Sequence, residues 1–95
     1  MQRELKMIHA GQTLTVIVRS RDAEYFNGKA VAVSSTNQKG PFDVLPKHTH
    51  FISLIQNSIT IHKTDTSTQK IIFSNAILKV KDDMVEVYIS MNKEK

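Results

Sequence analysis

Period-two alternation of apolar residues constrains this chain more than any other feature. Leu14, Val16 and Val18 alternate with Thr15 and Ile17, then Arg19. Val31 and Val33 alternate with Ala30, Ala32 and Ser34; Ile59 and Ile61 with Ser58, Thr60 and His62. Ile71 and Phe73 alternate with Lys70 and Ile72; Val85, Val87 and Ile89 with Glu86, Tyr88 and Ser90. Successive side chains of a strand point to opposite faces, so this pattern is what a strand with one buried face requires. β-branched and aromatic residues dominate the runs, and these suit a pleated, half-buried surface.

Turn chemistry separates the runs. Asn27-Gly28 precedes the second run, and Asn37-Gln38-Lys39-Gly40-Pro41 closes it. Asn57-Ser58 reads as a short break, Thr64-Asp65-Thr66-Ser67 as a polar hairpin tip, and Ser74-Asn75 and Lys81-Asp82-Asp83 as tight breaks. Punctuation every 8–12 residues or so predicts an all-β fold, an antiparallel sandwich or barrel. Residues 3–9 offer one marginal helical turn, too short to stand alone.

Size and composition narrow the function classes. The 95 residues make one domain, because half of them would not bury a core of their own. With 40% hydrophobic and 23% charged residues the chain is ordinary for a globular protein. The absence of cysteine excludes disulfides and cysteine-based metal centres. No run approaches the about 18 apolar residues that cross a bilayer. The N-terminus lacks a secretory apolar core. A mature protein in the cytoplasm is expected. The net charge of +4 raises nucleic acid as a partner, but its distribution argues against one. Residues 1–47 carry seven Lys+Arg and four Asp+Glu, and residues 48–95 carry six and five, with no basic stripe. Six aromatics without tryptophan give no stacking platform for bases.

Reactive chemistry finds no foothold. His48 and His50 are two apart on an extended segment and share a face, but zinc needs further ligands. His62 and Asp43 would serve only if the fold brought them close. Serines fall in turns or on strand faces, without the oriented base that a nucleophile needs. Asp82-Asp83 is the only carboxylate pair, and aspartate favours turn geometry there. Gly28 and Gly40 are isolated and form no phosphate loop. No catalytic residue, cofactor, metal or small-molecule ligand is expected.

The least ordinary stretch runs from Gly40 to Ile52. Two prolines, Pro41 and Pro46, bracket Phe42-Asp43-Val44-Leu45. Proline cannot donate to a ladder, so they mark an edge strand or strand ends. A rigid rim presenting Phe42 and His48 is the functional reading of the same residues.

Here the sequence resembles the epsilon subunit of the F-type ATP synthase. Gly40-Pro41-Phe42-Asp43-Val44-Leu45-Pro46-Lys47-His48 is similar to that family's Gly-x-(Leu/Phe)-x-(Ile/Val)-Leu-Pro-x-His signature, and Phe51-Ile52-Ser53-Leu54-Ile55 to the apolar strand after it. Leu14–Val18 followed by Tyr25-Phe26-Asn27-Gly28 looks like its first strand and turn. Ala76–Val80 and Val85–Ile89 look like its last hairpin. The resemblance implies an antiparallel β-sandwich of about ten short strands over residues 13–90, flanked by an N-terminal extension (1–12) and a polar tail (91–95). The extension either covers a sheet edge or frays.

It also implies a role. The family's domain sits at the foot of the central stalk, binds the gamma subunit, rests on the c-ring and turns with the rotor without catalysing a reaction. The implied c-ring-facing loop is Asn37, Gln38, Lys39, Gly40 and Pro41. The implied gamma-facing segment is His48, Thr49, His50 and Phe51. Pro41 stands where the family often has an acidic residue, and Lys39 offers a charge of opposite sign. Ser74-Asn75-Ala76 replaces the family's Ser-Gly-Gly, so the turn there is expected to differ. With Lys95 last, the chain is expected to lack the inhibitory C-terminal helical hairpin, as a short form or a trimmed one. Such a subunit would lie peripherally on the cytoplasmic side of the membrane. The alternative is a stand-alone β-sandwich module with an epsilon-like fold and another protein partner.

Overall fold

A computed structural model describes residues 12–47 and 50–91. Six strands account for most of them: β1 (Leu14–Arg19), β2 (Glu24–Asn37), β3 (Gly40–Val44), β4 (Phe51–Lys63), β5 (Thr68–Lys81) and β6 (Met84–Met91). None of the described residues is helical. The ladder order is β1-β6-β5-β4-β2-β3, and β1 also pairs with β2, so the sheet closes on itself. A flattened, barrel-like sandwich results. Its pairs are antiparallel except β1–β6, which is parallel.

The alternating runs land where their period demands. Leu14, Val16 and Val18 of β1 and Val85, Val87 and Ile89 of the neighbouring β6 turn side by side into one core, all buried. Ile55, Ile59 and Ile61 of β4 and Phe73, Leu78 and Val80 of β5 complete it. Each such side chain contributes about 1.5–3 kcal/mol on removal from water. The alternation, more than any polar bond, therefore fixes the register.

Six strands stand where about ten were expected, and the cause is local. Asn57-Ser58 and Ser74-Asn75 are not breaks. They lie within β4 and β5, whose pairing steps from Gln56↔Asn75 to Ser58↔Ile72. Asn57 alone opposes Phe73 and Ser74 and takes a left-handed backbone (φ 75). The extra residue makes a bulge, which bends the strand and shifts its side-chain parity. Phe73 points inward before it; Ala76, Leu78 and Val80 point inward after it. Likewise Asn27-Gly28 does not precede β2 but lies inside it, Gly28 opposite Val16. β2 shifts register between Ala30 and Ala32 and exchanges β1 for β4 as its neighbour.

The other turns fall as read. Gln38-Lys39 closes the β2–β3 hairpin, with Asn37 opposite Gly40. Residues 64–67 form the β4–β5 tip. Asp82 and Asp83 close β5–β6 with positive φ at both (51 and 62), the primed geometry that matches strand twist. Pro41 sits on β3, a strand at the end of the ladder order.

Candidate functional site

The two outward faces of the sandwich differ in character. On one, Asp43, Ser34, Thr60 and Lys70 form a polar row across β3, β2, β4 and β5. Ser34 Oγ donates to Asp43 Oδ1 at 2.6 Å and lies 2.9 Å from His62 Nε2. The Ser34 hydroxyl bonds Asp43, and the tautomer of His62 sets the direction of the bond between the imidazole and Ser34. The trio ties three strands together. The fold thus brings Asp43 and His62 to one serine but leaves His50 at the opposite end of β4. Among the described residues no group of three His, Cys, Asp or Glu side chains converges as metal ligands do.

The other face is apolar. Leu54 pairs with Ile77, and Ile77 with Tyr88, in a row across β4, β5 and β6. The row beside it is Ile52, Lys79 and Glu86. Ile52 and Leu54 are each 68% exposed, Ile77 42% and Tyr88 45%. Single exposed apolar residues are ordinary, but a contiguous group rimmed by charge is the usual anatomy of a docking surface.

The Asn37–Pro41 segment is a tight hairpin end rather than an open loop. Asn37 Oδ1 accepts from the Lys39 N–H at 2.8 Å, and Asn37 Nδ2 donates to Ser53 Oγ at 3.1 Å. Gly40 has φ 120, a backbone that side-chain-bearing residues rarely adopt. A shallow groove lined by Asn37, Gln38, Lys39, Phe51, Ile52, Ser53 and Leu54 joins this hairpin end to the apolar face.

The second expected segment divides. His48 and Thr49 lie outside the described residues. His50 is exposed, its Nε2 3.3 Å from Asp82 Oδ1. Phe51 is half-buried; its ring meets Phe42 edge-on at 6.0 Å and packs against the core. Sequence reasoning passed over Ile52, Leu54, Ile77 and Tyr88 as a surface. The available signal was apolar residues at the outward positions of runs whose inward positions were already apolar.

Residues 13–91 match the family described as the ATP synthase delta/epsilon chain β-sandwich domain. Two solved structures share the fold. A chain of the Euglena gracilis mitochondrial ATP synthase (OSCP/F1/c-ring, rotational state 1) superposes with a TM-score of 0.76 at 12% identity, over 85% of this chain and 52% of that one. A chain of the Tetrahymena thermophila mitochondrial ATP synthase central stalk/c-ring gives 0.68 at 13% identity, over 83% and 64%. This chain therefore spans about half to two-thirds of the length of those it matches. The match runs over the whole closed six-stranded sandwich, and the chain belongs to the ATP synthase delta/epsilon β-sandwich family.

Proposed function

We propose that this chain is a non-catalytic subunit of the central stalk of a rotary ATP synthase, binding the gamma subunit and resting on the c-ring so that rotation passes between ring and catalytic head. The observation that carries the reading is the apolar row Leu54–Ile77–Tyr88 on a domain of this family. A stalk partner would cover that row, and Lys79, Glu86 and Arg19 would form the charged rim. Specific interfaces need about 800 Å² from each partner, with the apolar part at the centre and polar groups outside. The groove that joins the β2–β3 hairpin end to this face supports reading Asn37–Pro41 as the c-ring side of the same surface. Torque transfer asks for a body that does not shear, and a ladder closed on itself resists shear because each strand but the edge strand β3 is held by two ladders. The non-catalytic part of the reading is supported by membership of this β-sandwich family.

Size-exclusion chromatography with the gamma subunit of the same cell tests the reading. A one-to-one complex is expected. Two folded proteins that elute separately at tens of micromolar would overturn it.

A further inference from the structure

β4 has a neighbour on each side only along its second half. β5 pairs with it from Phe51 to His62, whereas β2 joins it from Ile59 onward. Among the described residues, 51–56 therefore have an open side. The direction of each backbone group follows from the β5–β6 hairpin. Its two-residue turn is closed by Lys81 and Met84, which bond each other, so Lys81, Lys79 and Ile77 direct their backbone groups at β6. Val80, Leu78 and Ala76 are then left to bond Phe51, Ser53 and Ile55. Ile52, Leu54 and Gln56 remain, with N–H and C=O groups that point away from β5. At the far end of β4 the Lys63 N–H donates to the Ser67 carbonyl at 2.8 Å, so the odd-numbered residues face β5 there as well. The Leu54 carbonyl accepts instead from Ser53 Oγ at 3.2 Å, as a carbonyl outside the ladder can.

We propose that the open edge of β4 at Ile52, Leu54 and Gln56 takes an extended segment of the stalk partner as an added strand, with an apolar residue of that segment beside Leu54. The inference rests on the reading of this chain as a stalk subunit and names how the partner is held. Strand addition draws affinity from main-chain bonds and specificity from alternate side chains. Ile52 and Leu54 offer both at once, since each joins an open backbone to an exposed apolar side chain. An added strand here would lengthen the row Leu54–Ile77–Tyr88 by one position, so the edge is continuous with the face assigned to the partner. The groove lined by Asn37, Lys39, Ser53 and Leu54 runs beside the same edge. Other free edges of the sandwich carry the charges and proline with which natural sheets prevent pairing. β3 has Pro41 and Asp43, the first half of β2 has Glu24 and Lys29, and the first half of β5 has Lys70 between Thr68 and Ile72. No charge or proline interrupts 51–56. An unguarded apolar edge invites aggregation unless something covers it, which favours a standing occupant.

Amide hydrogen exchange of the full chain, alone and with the gamma subunit, reads the edge directly. Alone, the Ile52 and Leu54 amides should exchange about tenfold or more faster than those of Ser53 and Ile55, which bond β5. With the gamma subunit bound they should slow by about tenfold or more, while the Lys70 and Ile72 amides on the other face keep their rates. Ile52→Ala and Ile52→Pro then separate a backbone bond from simple cover. Both lose the isoleucine side chain, but only proline removes the N–H, and an edge tolerates proline where that N–H faces outward. Ile52→Pro should bind the gamma subunit about threefold or more weakly than Ile52→Ala. Equal affinities of the two variants, or gamma binding that leaves the Ile52 and Leu54 amides fast, would overturn the strand addition and leave the stalk reading standing. Amides already slow in the chain alone would mean that the edge is covered without the partner, by a second copy if the slowing grows with concentration, and either result contradicts the proposal. A chain that binds no gamma subunit would overturn the stalk reading and this partner with it.

Discussion

Leu54 lies directly opposite Ile77 on the outward side of the β4–β5 ladder, and both remain open to solvent. Their inward neighbours Ile55 and Ala76 are fully buried, so the two strands are apolar on both sides at this point. Sheet stability needs only one such side. Leu54→Glu should therefore leave the melting temperature within about 5 °C of wild type, because exposed substitutions rarely cost more than a fraction of a kcal/mol. It should weaken gamma binding by about tenfold or more, as an apolar residue at an interface centre does. A large loss of melting temperature would mean that Leu54 serves the fold; unchanged affinity would remove it from the interface.

Val87 shows the opposite behaviour. It is fully buried on β6 between Val18 and Leu78, its partners on the two flanking strands. Val87→Asp places an unpaired carboxylate in the core at a cost of several kcal/mol, roughly the whole stability of a domain this small. Loss of the cooperative thermal transition is the expected result. A melt that matched wild type would show that the core is not where β6 places it.

Ser35 is the one buried polar side chain among the described residues, and its Oγ donates to the Ser58 carbonyl at 2.8 Å. Ser58 follows Asn57, the residue opposite the β5 bulge, so this bond anchors β2 to β4 beside that bulge. Ser35→Ala removes this donor and should cost about 1–2 kcal/mol, read as a fall of about 4–16 °C in melting temperature. Loss of less than a degree would mean that water satisfies the carbonyl.

At the β4–β5 tip the Asp65 carboxyl is held below its ordinary value of 3.8, first by the Ser67 hydroxyl and then by the Ser67 N–H. A depressed folded pKa adds stability above the unfolded value and loses it as pH falls through the folded one. The window is therefore acidic, below about 3.9. Ser67→Ala should move the Asp65 titration upward, toward the free value, in a carboxyl NMR titration. An Asp65 midpoint unmoved by the substitution would assign the shift to other groups.

The legible part of the fold was the part that repeats locally. Leu14-x-Val16-x-Val18 and Val85-x-Val87-x-Ile89 announce β1 and β6 because every second side chain enters the core. Asn57 and Asn75 misled for a physical reason. Asparagine is common both in turns and in left-handed single residues, and only pairing partners distinguish a turn from a bulge. Those partners, Phe73 and Ser74 for Asn57, lie across the ladder and leave no trace in a local window. The parallel β1–β6 pair was hidden in the same way, since direction comes from the path of the whole chain.

The site was legible at its edge and not at its centre. Gly40–Lys47 stood out through its prolines and its family signature. Ile52, Leu54, Ile77 and Tyr88 stood out only as apolar residues on both sides of their runs, and residue type does not tell which side faces the core. Only closure of the sheet decides which side is inside. The open edge of β4 was hidden for a related reason: the sequence shows a strand, and only the ladders tell which of its sides has a neighbour.

The chain has no cysteine of its own, so one introduced thiol is a unique reporter of which face meets the stalk. Leu54→Cys marks the apolar face and Lys70→Cys the polar one, both at exposed positions. Each would be joined to a short thiol-reactive photocrosslinker and mixed with the gamma subunit. Cross-links from position 54 and none from position 70 are predicted. Cross-links from position 70 alone, or from neither with both proteins folded, would contradict the central claim that the apolar face is the stalk-binding surface.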